Sequence, residues 1–597
     1  MLSSFFTRPR SLKSDTLAGL TTVLTLIPEA VAFTFVAGID PMIGLYGSFF
    51  IALITAAFGG RPAMISGAAG SMAVVTTAFI IMFGIEYLFA AVILTGILQV
   101  LFGIFKLGKF IRLLPHPVML GFVNGLAIVI GWAQFTQFKE NTRVVYDDKQ
   151  SFFTYASDWM SLTDPRMLTM IGMIVLTMAI IHFLPKLTKA IPAPLAAIAV
   201  CTLLAATPML KPHTKTVQDV VKGQRQSLLE KEYATRSFDK VKDQTAFADI
   251  ETTAQSFAGR AKNLSTEELA AAVVALDSSI PLEDKISATK DKVKKISEGL
   301  VATVPSFHIP QINWKDFGAL KTILALAFIL AAIGLIETLM TLSLIDELTE
   351  TKGSGNQESI AQGAGNMVSG FFGGMCGCAM IGQSIINLNS GGRGRTSGIA
   401  TAFFLLGFIF FAPNLIEMIP VAALIGVMFI VVIETFEWSS LRLFGKVPKS
   451  EIVIIIIVST ITVLIDLAIA VGVGIIISAL IYAWNNAQRI ELEIAEEKDE
   501  ERTYKIEGAI FFGSITSFKE LFSPKEDPQD VYLDFEAARV VDHSAIEAIH
   551  GLSEKYKALG KTLHLKHLSK DCAAILSKAG DIVEVNVVED PKYFVAE

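Results

Sequence analysis

Apolar runs long enough to cross a lipid bilayer follow one another along most of this chain, and they decide what it can fold into. A helix crossing the roughly 30 Å hydrocarbon core needs about 20 mainly apolar residues. Such runs occupy residues 14–37, 41–59, 87–106, 117–138, 167–185, 192–210, 318–346, 359–374, 396–412, 417–436, 450–466 and 468–487. Two more, 71–84 and 380–390, are apolar but too short to cross as full helices. Lipid offers no hydrogen-bond partner, so the backbone of every run must pair with itself as helix. The expected fold is an α-helical polytopic membrane protein of fourteen spans. Charged residues make up only 18% of the chain, against about 25% in soluble proteins. They gather in a polar block, 211–316, and in the tail from about residue 500.

Basic residues in short loops orient such a chain, because they stay on the cytoplasmic side. With the N-terminus inside, the inner loops carry Arg61; Lys106, Lys109 and Arg112; Lys186 and Lys189; Arg393 and Arg395; and Arg442, Lys446 and Lys449. The outer loops "GID", "FGIE", "APN" and "LID" carry none, and the 139–166 loop is long and mixed in sign. Both termini are therefore expected in the cytoplasm, with the chain in the cytoplasmic (inner) membrane. Arg8, Arg10 and Lys13 precede a first helix with no small-residue cleavage site, so it is expected to be retained. The block 211–316 then falls outside. Its periodicity is helical, with Ser265-Thr-Glu-Glu268 as a capping box; a flexible insertion is the alternative. In the tail, short β-rich runs alternate with amphipathic helices, the pattern of a small α/β domain with a mixed sheet. The expected division is 1–210 and 317–490 for two membrane repeats, 211–316 for the insertion and 500–597 for the cytosolic domain.

Several function classes drop out. There is no long basic run and no basic stripe interleaved with aromatics, so nucleic acid is not an expected partner. Cys201, Cys376, Cys378 and Cys572 offer no disulfide framework, and Cys376-x-Cys378 lacks the neighbouring His or Cys of a metal site. No nucleophile–base pairing or phosphate loop suggests an enzyme.

The two short spans are each introduced by a glycine-rich stretch, "SGAAGSM" (66–72) and "GGMCGCAMIGQ" (373–383). They are seven apart in fourteen, as two inverted seven-span repeats require. A helix that starts inside the membrane presents free amides and the positive end of its dipole. Two such tips facing each other make an anion site from backbone. Around it would stand Ala69, Gly70 and Ser71 of the third span and Met380, Ile381, Gly382 and Gln383 of the tenth. A glycine-rich packing interface is the alternative. Two acids lie at membrane depth, where ionisable groups are costly and usually functional. Glu29 follows Pro28, which is expected to break the first helix there; Glu337 has Thr341 one turn later on the same face. For both, a buried structural hydrogen bond is the alternative. Asp346 and Glu347 are expected at the inner membrane edge, solvated, and Asp466 at the outer end of the thirteenth span.

At these residues the sequence resembles the SulP/SLC26 anion transporter family. "DTLAGLTTVLTLIPEAVAFTFVAGIDPMIGLYGSF" is similar to its first two spans, "NSGGRGRTSGI" to the segment after its tenth, and "VVDHSAIEAI" to the strand-to-helix turn of its C-terminal STAS domain. The resemblance implies a core of spans 1–4 and 8–11 moving against a gate of spans 5–7 and 12–14 in an elevator-like cycle. It also implies a homodimer and no organic cofactor, and it allows a cytosolic protein partner for the STAS domain. The cargo would be bicarbonate, sulfate, chloride, oxalate or a dicarboxylate. Three positions depart from the family: Ala69 where many members have Thr, Gln383 where many have Arg, and Glu29 where Gln is common. The site has lost a positive charge and gained a negative one, which disfavours plain chloride exchange. Two like charges about 4 Å apart repel by roughly 4 kcal/mol at an effective dielectric near 20, so a cation must accompany the anion. The resemblance implies sodium held by Glu337, Thr341 and the backbone of Ala379 and Ile381; a proton on Glu29 or Glu337 would serve the same end. The expected function is sodium symport of a small inorganic oxyanion, bicarbonate or sulfate. A proton-coupled sulfate or dicarboxylate symporter is the alternative, and a STAS-based sensor with vestigial transport is an alternative of another class. Ser544 stands where bacterial anti-sigma antagonists of this fold carry a phosphoserine; a helix N-cap is the other reading.

Overall fold

The computed structural model describes residues 9–107, 115–147, 152–188, 192–241, 250–277, 285–297, 300, 305–313, 315, 317–443, 445–465, 467–487, 490–497, 501–568 and 586–587. Lys109, Arg112, Lys189, Asp466, Cys572 and Arg8 lie outside the described residues. Helices stand at all fourteen expected places. The first seven are Pro9–Ala37, Pro41–Phe58, Gly70–Phe83, Ile85–Ile104, His116–Gln134, Pro165–Leu187 and Ala193–Ala205. The second seven are Phe317–Thr349, Gly355–Phe371, Ile381–Asn389, Arg395–Phe411, Val421–Thr435, Lys449–Leu464 and Leu467–Ala487. Among the described residues, seven of these helices (spans 1, 2, 4, 5, 6, 8 and 12) are by length and composition alone apolar enough to cross a membrane. Spans 3 and 10, with 14 and 9 residues, are too short at 1.5 Å per residue.

The chain divides into two compact units, Met1–Gly472 and Val473–Glu597. Within the first, the packing repeats itself with an offset of seven spans. Span 4 lies on 9 as 11 lies on 2; span 1 on 11 as 8 on 4; span 5 on 13 as 12 on 6; span 3 on 5 as 10 on 12. This recurrence is the two-repeat architecture written in contacts. Spans 1–4 pack with 8–11 in one bundle, the expected core, and spans 5–7 with 12 and 13 in another, the expected gate.

Helix starts follow local chemistry. Asp40 caps span 2, accepting from the Met42 amide at 3.0 Å, and Asp164 caps span 6 in the same way, each with Pro at the first helical position. Pro28 does not break span 1, contrary to expectation: the helix continues through it. The surrounding turns, Leu26, Ile27, Ala30 and Val31, are buried on all sides, and such packing holds a helix across one missing hydrogen bond.

Strands interrupt this helical unit at three places. The three-residue β1 (Ser66–Ala68) leads into span 3. A hairpin of β2 (Lys139–Asp147) and β3 (Phe152–Trp159) fills the segment between spans 5 and 6 that reads in sequence only as a long loop. β4 (Gly377–Ala379) leads into span 10. The polar block holds helices Val217–Asp239, Ile250–Asn263, Thr266–Leu276 and Lys285–Ser297, with the expected capping box at Ser265 and Glu268. The hairpin's Val144 and Tyr146 bury themselves against Ala234, Phe238, Ala254 and Ala258 of that block.

The second unit carries a mixed sheet in the order β5 (Glu491–Glu497), β6 (Glu501–Ile510), β7 (Asp530–Val540), β8 (Thr562–Lys566), β9 (Asn586–Val587); the first pair is antiparallel and the others parallel. Helix His543–Ala558 links β7 to β8 and buries Ile549, Leu552 and Tyr556 with Leu533 and Leu565. Asp527, buried, accepts from Arg502 and Tyr504, each at 2.6 Å, and from the Tyr556 hydroxyl. The helix N-cap is Asp542, whose carboxylate accepts from the Ala545 amide at 2.9 Å. Ser544 is the second helical residue and not the cap, because Asp542 already occupies that position. Ser544→Ala is therefore expected to leave the stability of the second unit to denaturant, measured in the full chain, unchanged, whereas Asp542→Ala lowers it by about 1 kcal/mol. A loss of that size from Ser544→Ala would overturn the assignment.

Candidate functional site

The site begins with six residues of extended backbone. β1 and β4 pair antiparallel, Ser66 with Ala379, Gly67 with Cys378 and Ala68 with Gly377. Glycine is required here: a Cβ on Gly377 would lie 1.9 Å from the carbonyl oxygen of Gly67. Each strand runs directly into its half-helix. Because the strands are antiparallel, the two helices start from opposite ends of one ladder. The N-caps, Ala69 and Met380, supply no side-chain cap. The first helical bonds are Ala73 to Ala69 and Ser384 to Met380, both 3.0 Å. The amides of residues 70–72 and 381–383 thus have no partner within their own helices.

The outer edge of β4 is satisfied by side chains. Asn366 accepts from the Gly377 amide at 2.9 Å, and Gln362 and Asn366 donate to the Gly377 carbonyl at 2.8 and 3.1 Å. The Ala379 amide donates to Thr338 at 3.2 Å and the Ala379 carbonyl accepts from Thr341 at 3.3 Å. Spans 8 and 9 thereby act as a third strand, so no backbone group of β4 is left unpaired in a medium without water. β1 is pinned by Ser48, which accepts from the Ala68 amide at 3.0 Å.

Two groups of side chains converge on this frame. At the tip of span 10, Gln383 is fully buried; its Oε1 accepts from the Thr25 hydroxyl at 2.8 Å. Its Nε2 faces the buried carboxylate of Glu29. Gly382 is exposed, and nothing lies within 4 Å of where its Cβ would be, so open space borders the first turn. Ala69, Gly70 and Ser71 are buried on the opposite side, and Phe33 closes over Gly70, 2.6 Å from a Cβ there. At the strand, Glu337 Oε2 accepts from the Cys378 thiol at 2.6 Å. Thr341 bridges the Glu337 carbonyl (2.8 Å) and the Ala379 carbonyl (3.3 Å). Ser71, buried, turns its hydroxyl to Glu337.

Glu29 and Gln383 therefore come together, as do Glu337, Thr341 and Ala379. Ser71 turns to the Glu337 group as well as to the tip of span 3. Ile381, as the first helical residue, directs its amide at the site and its carbonyl into the helix. Asp346 is not solvated as expected: it pairs with the buried Arg61 at 3.2 Å and accepts from the Gly353 amide, because the chain folds the loop after span 8 onto the loop before β1. Sequence reasoning also missed Cys378, Thr338, Gln362, Asn366 and Asp15. Asp15 accepts from the Arg393 amide at 2.9 Å and from the Thr396 hydroxyl, capping span 11 from span 1. None of these has a local signal, since each partner is distant in sequence.

The model of the Sulfate permease family matches residues 12–253 and 252–458, and that of the STAS domain matches 493–588. YbaR of Bacillus subtilis (strain 168), a protein ascribed to sulfate transport, is 35% identical over 571 residues, covering 95% of this chain and 97% of its own. The bicarbonate transporter BicA of Picosynechococcus sp. is 27% identical over 459 residues, 74% of this chain and 66% of its own. The solved transmembrane domain of a cyanobacterial BicA superposes with a TM-score of 0.54 at 25% identity, over 78% of this chain and 98% of that one. Murine Slc26a9 in its inward-facing state gives 0.70 at 15% identity, over 96% and 88%, a likeness of fold alone. With the half-helix pair, the two-repeat packing and the C-terminal mixed sheet in place, the chain belongs to the sulfate permease family of anion transporters and carries a STAS domain.

Proposed function

We propose that the chain is a secondary active transporter that carries a small inorganic oxyanion, bicarbonate or sulfate, together with sodium, by movement of the core against the gate. The observation that supports this best is the pair of half-helix tips, with the buried amide of Gln383 on one side and the Glu337–Thr341–Ala379 oxygens on the other. Amide tips and an uncharged amide donor suit an anion. Oxygen donors around one carboxylate suit a hard cation. Glu29 and Glu337 add negative charge beside the cargo, so the anion is held only with a cation present. The closure of Phe33 over Gly70 favours a compact oxyanion over a dicarboxylate. In this reading Ala69, Gly70, Ser71, Met380, Ile381, Gly382, Gln383 and Glu29 border the anion, and Glu337, Thr341 and Ala379 the sodium. The protein works as a homodimer in the cytoplasmic membrane with both termini inside.

One observation favours a second reading, proton symport. Glu337 already holds a thiol at 2.6 Å, a soft neighbour for sodium. Uptake of labelled bicarbonate and sulfate into proteoliposomes, with and without a sodium gradient and at two pH values, separates the two. The expected result is uptake that rises with an inward sodium gradient at constant pH. Uptake indifferent to sodium and driven by a proton gradient would reverse the assignment.

A further inference from the structure

The insertion is not an ornament beside the transporter unit, because its first helix, Val217–Asp239, touches both bundles. Its start is built into the gate. The Val217 amide donates to the Ile419 carbonyl and the Val421 amide to the Lys215 carbonyl, both at 2.9 Å, just where span 12 begins. Its apolar side is buried on the hairpin β2–β3, with the Phe238 ring 5.4 Å from that of Tyr146. On the core, by contrast, it holds on through two long basic side chains. Arg225 pairs with Asp40, the cap of span 2, at 2.6 Å, both about a quarter exposed (22% and 25%). Lys231 donates to the Ile81 carbonyl in the last turn of span 3, where helix carbonyls lack partners and the dipole favours a cation. Farther along, the Leu300 amide donates to Glu417 before span 12, while the His308 amide donates to Phe371 at the end of span 9 and the Gln311 amide to Glu86 at the start of span 4, both at 3.0 Å.

We propose that the first helix of the insertion is a brace: rooted in the gate by backbone pairing at its start and by a buried apolar face, it grips the core at Asp40 and Ile81 and must release them for the core to travel. The proposal rests on the core-against-gate movement of the proposed function. The asymmetry of attachment sets which end lets go. The backbone pairs at Val217 and Val421 are buried, and parting the apolar face would expose it to water, whereas a quarter-exposed ion pair and a lysine–carbonyl bond exchange for water at less cost. Asp40 and Ile81 also sit at the ends of spans 2 and 3, so the grip acts on the half-helix that faces the cargo.

The test joins the two ends. In the full chain, Arg225→Cys and Asp40→Cys are combined and bridged with a short bis-methanethiosulfonate reagent that dithiothreitol reverses; each single variant, treated alike, is the control. A third cysteine, Gly382→Cys, reports access to the tip of span 10 by impermeant maleimide added to one or the other side of proteoliposomes. The parent chain without that cysteine gives the background. This readout needs no knowledge of the cargo. The expected result is labelling from both sides before bridging, from one side only after it, and from both again on reduction. Labelling from both sides in the bridged protein would overturn the brace. A second measurement covers a bridged variant that does not assemble: Asp40→Asn keeps the cap but removes the charge, and is expected to raise the labelling rate from the slower side at least twofold. No change in that rate would also count against the brace. Bridging that switches the labelling while uptake ignores sodium would fault the proposed coupling and leave the brace standing.

Discussion

Glu337→Gln is expected to raise the sodium concentration needed for half-maximal uptake by about ten- to a hundredfold while leaving the protein folded. The estimate follows from 1.5–3 kcal/mol for a contact with a charged group. The substitution keeps the shape and retains an oxygen that accepts from the Cys378 thiol. The Thr341 hydroxyl bonds the backbone carbonyls of residues 337 and 379, so its position does not depend on the carboxylate. What is lost is the charge. Uptake at saturating sodium should fall far less than uptake at low sodium, since the defect is in cation binding. Wild-type sodium dependence in this variant would make Glu337 a structural residue and remove the sodium assignment with it.

The second large effect separates two glycines five residues apart. Gly377→Ala forces a methyl to 1.9 Å from the Gly67 carbonyl oxygen, and nothing there can yield but the ladder itself. Parting β1 from β4 withdraws both half-helix tips and leaves backbone groups unpaired where water cannot reach. Loss of uptake and of the monodisperse folded protein is expected, and a well-folded, active Gly377→Ala would refute the role given to the ladder. At Gly382, nothing lies within 4 Å of the added methyl. Gly382→Ala is expected to fold normally, with unchanged thermal unfolding, and to raise the half-saturating anion concentration at least severalfold by filling the space beside the amides. Unaltered anion affinity would move the cargo away from this turn.

Much of this was legible in the chain, and the reason is the solvent. In hydrocarbon an apolar run can only be helix, so the fourteen positions follow from length and composition, and a run that is too short announces a buried break. The pairing of "SGAAGSM" with "GGMCGCAMIGQ" is readable for the same reason. What holds the tips in place is not. Asn366, Gln362 and Thr338 complete the edge of β4 by geometry that no spacing reveals, and Asp15 caps a helix that begins 380 residues later in the chain. Pro28 reads as a breaker because local propensity knows nothing of the burial around it. The hairpin between spans 5 and 6 escapes notice because its apolar face is covered by the insertion, a partner far along the chain. Ser544 reads as a cap because Asp542, two residues earlier, is an equally good one and wins the position.

The ladder also has a consequence for biogenesis. Gly67 waits for Cys378, more than three hundred residues downstream. Until the ribosome has delivered the second repeat, the first stands in the membrane with an unzipped seam and a truncated helix. A newly made N-terminal half is thus a natural client for the insertion machinery, and the two halves expressed as separate polypeptides should each be degraded alone and rescued together.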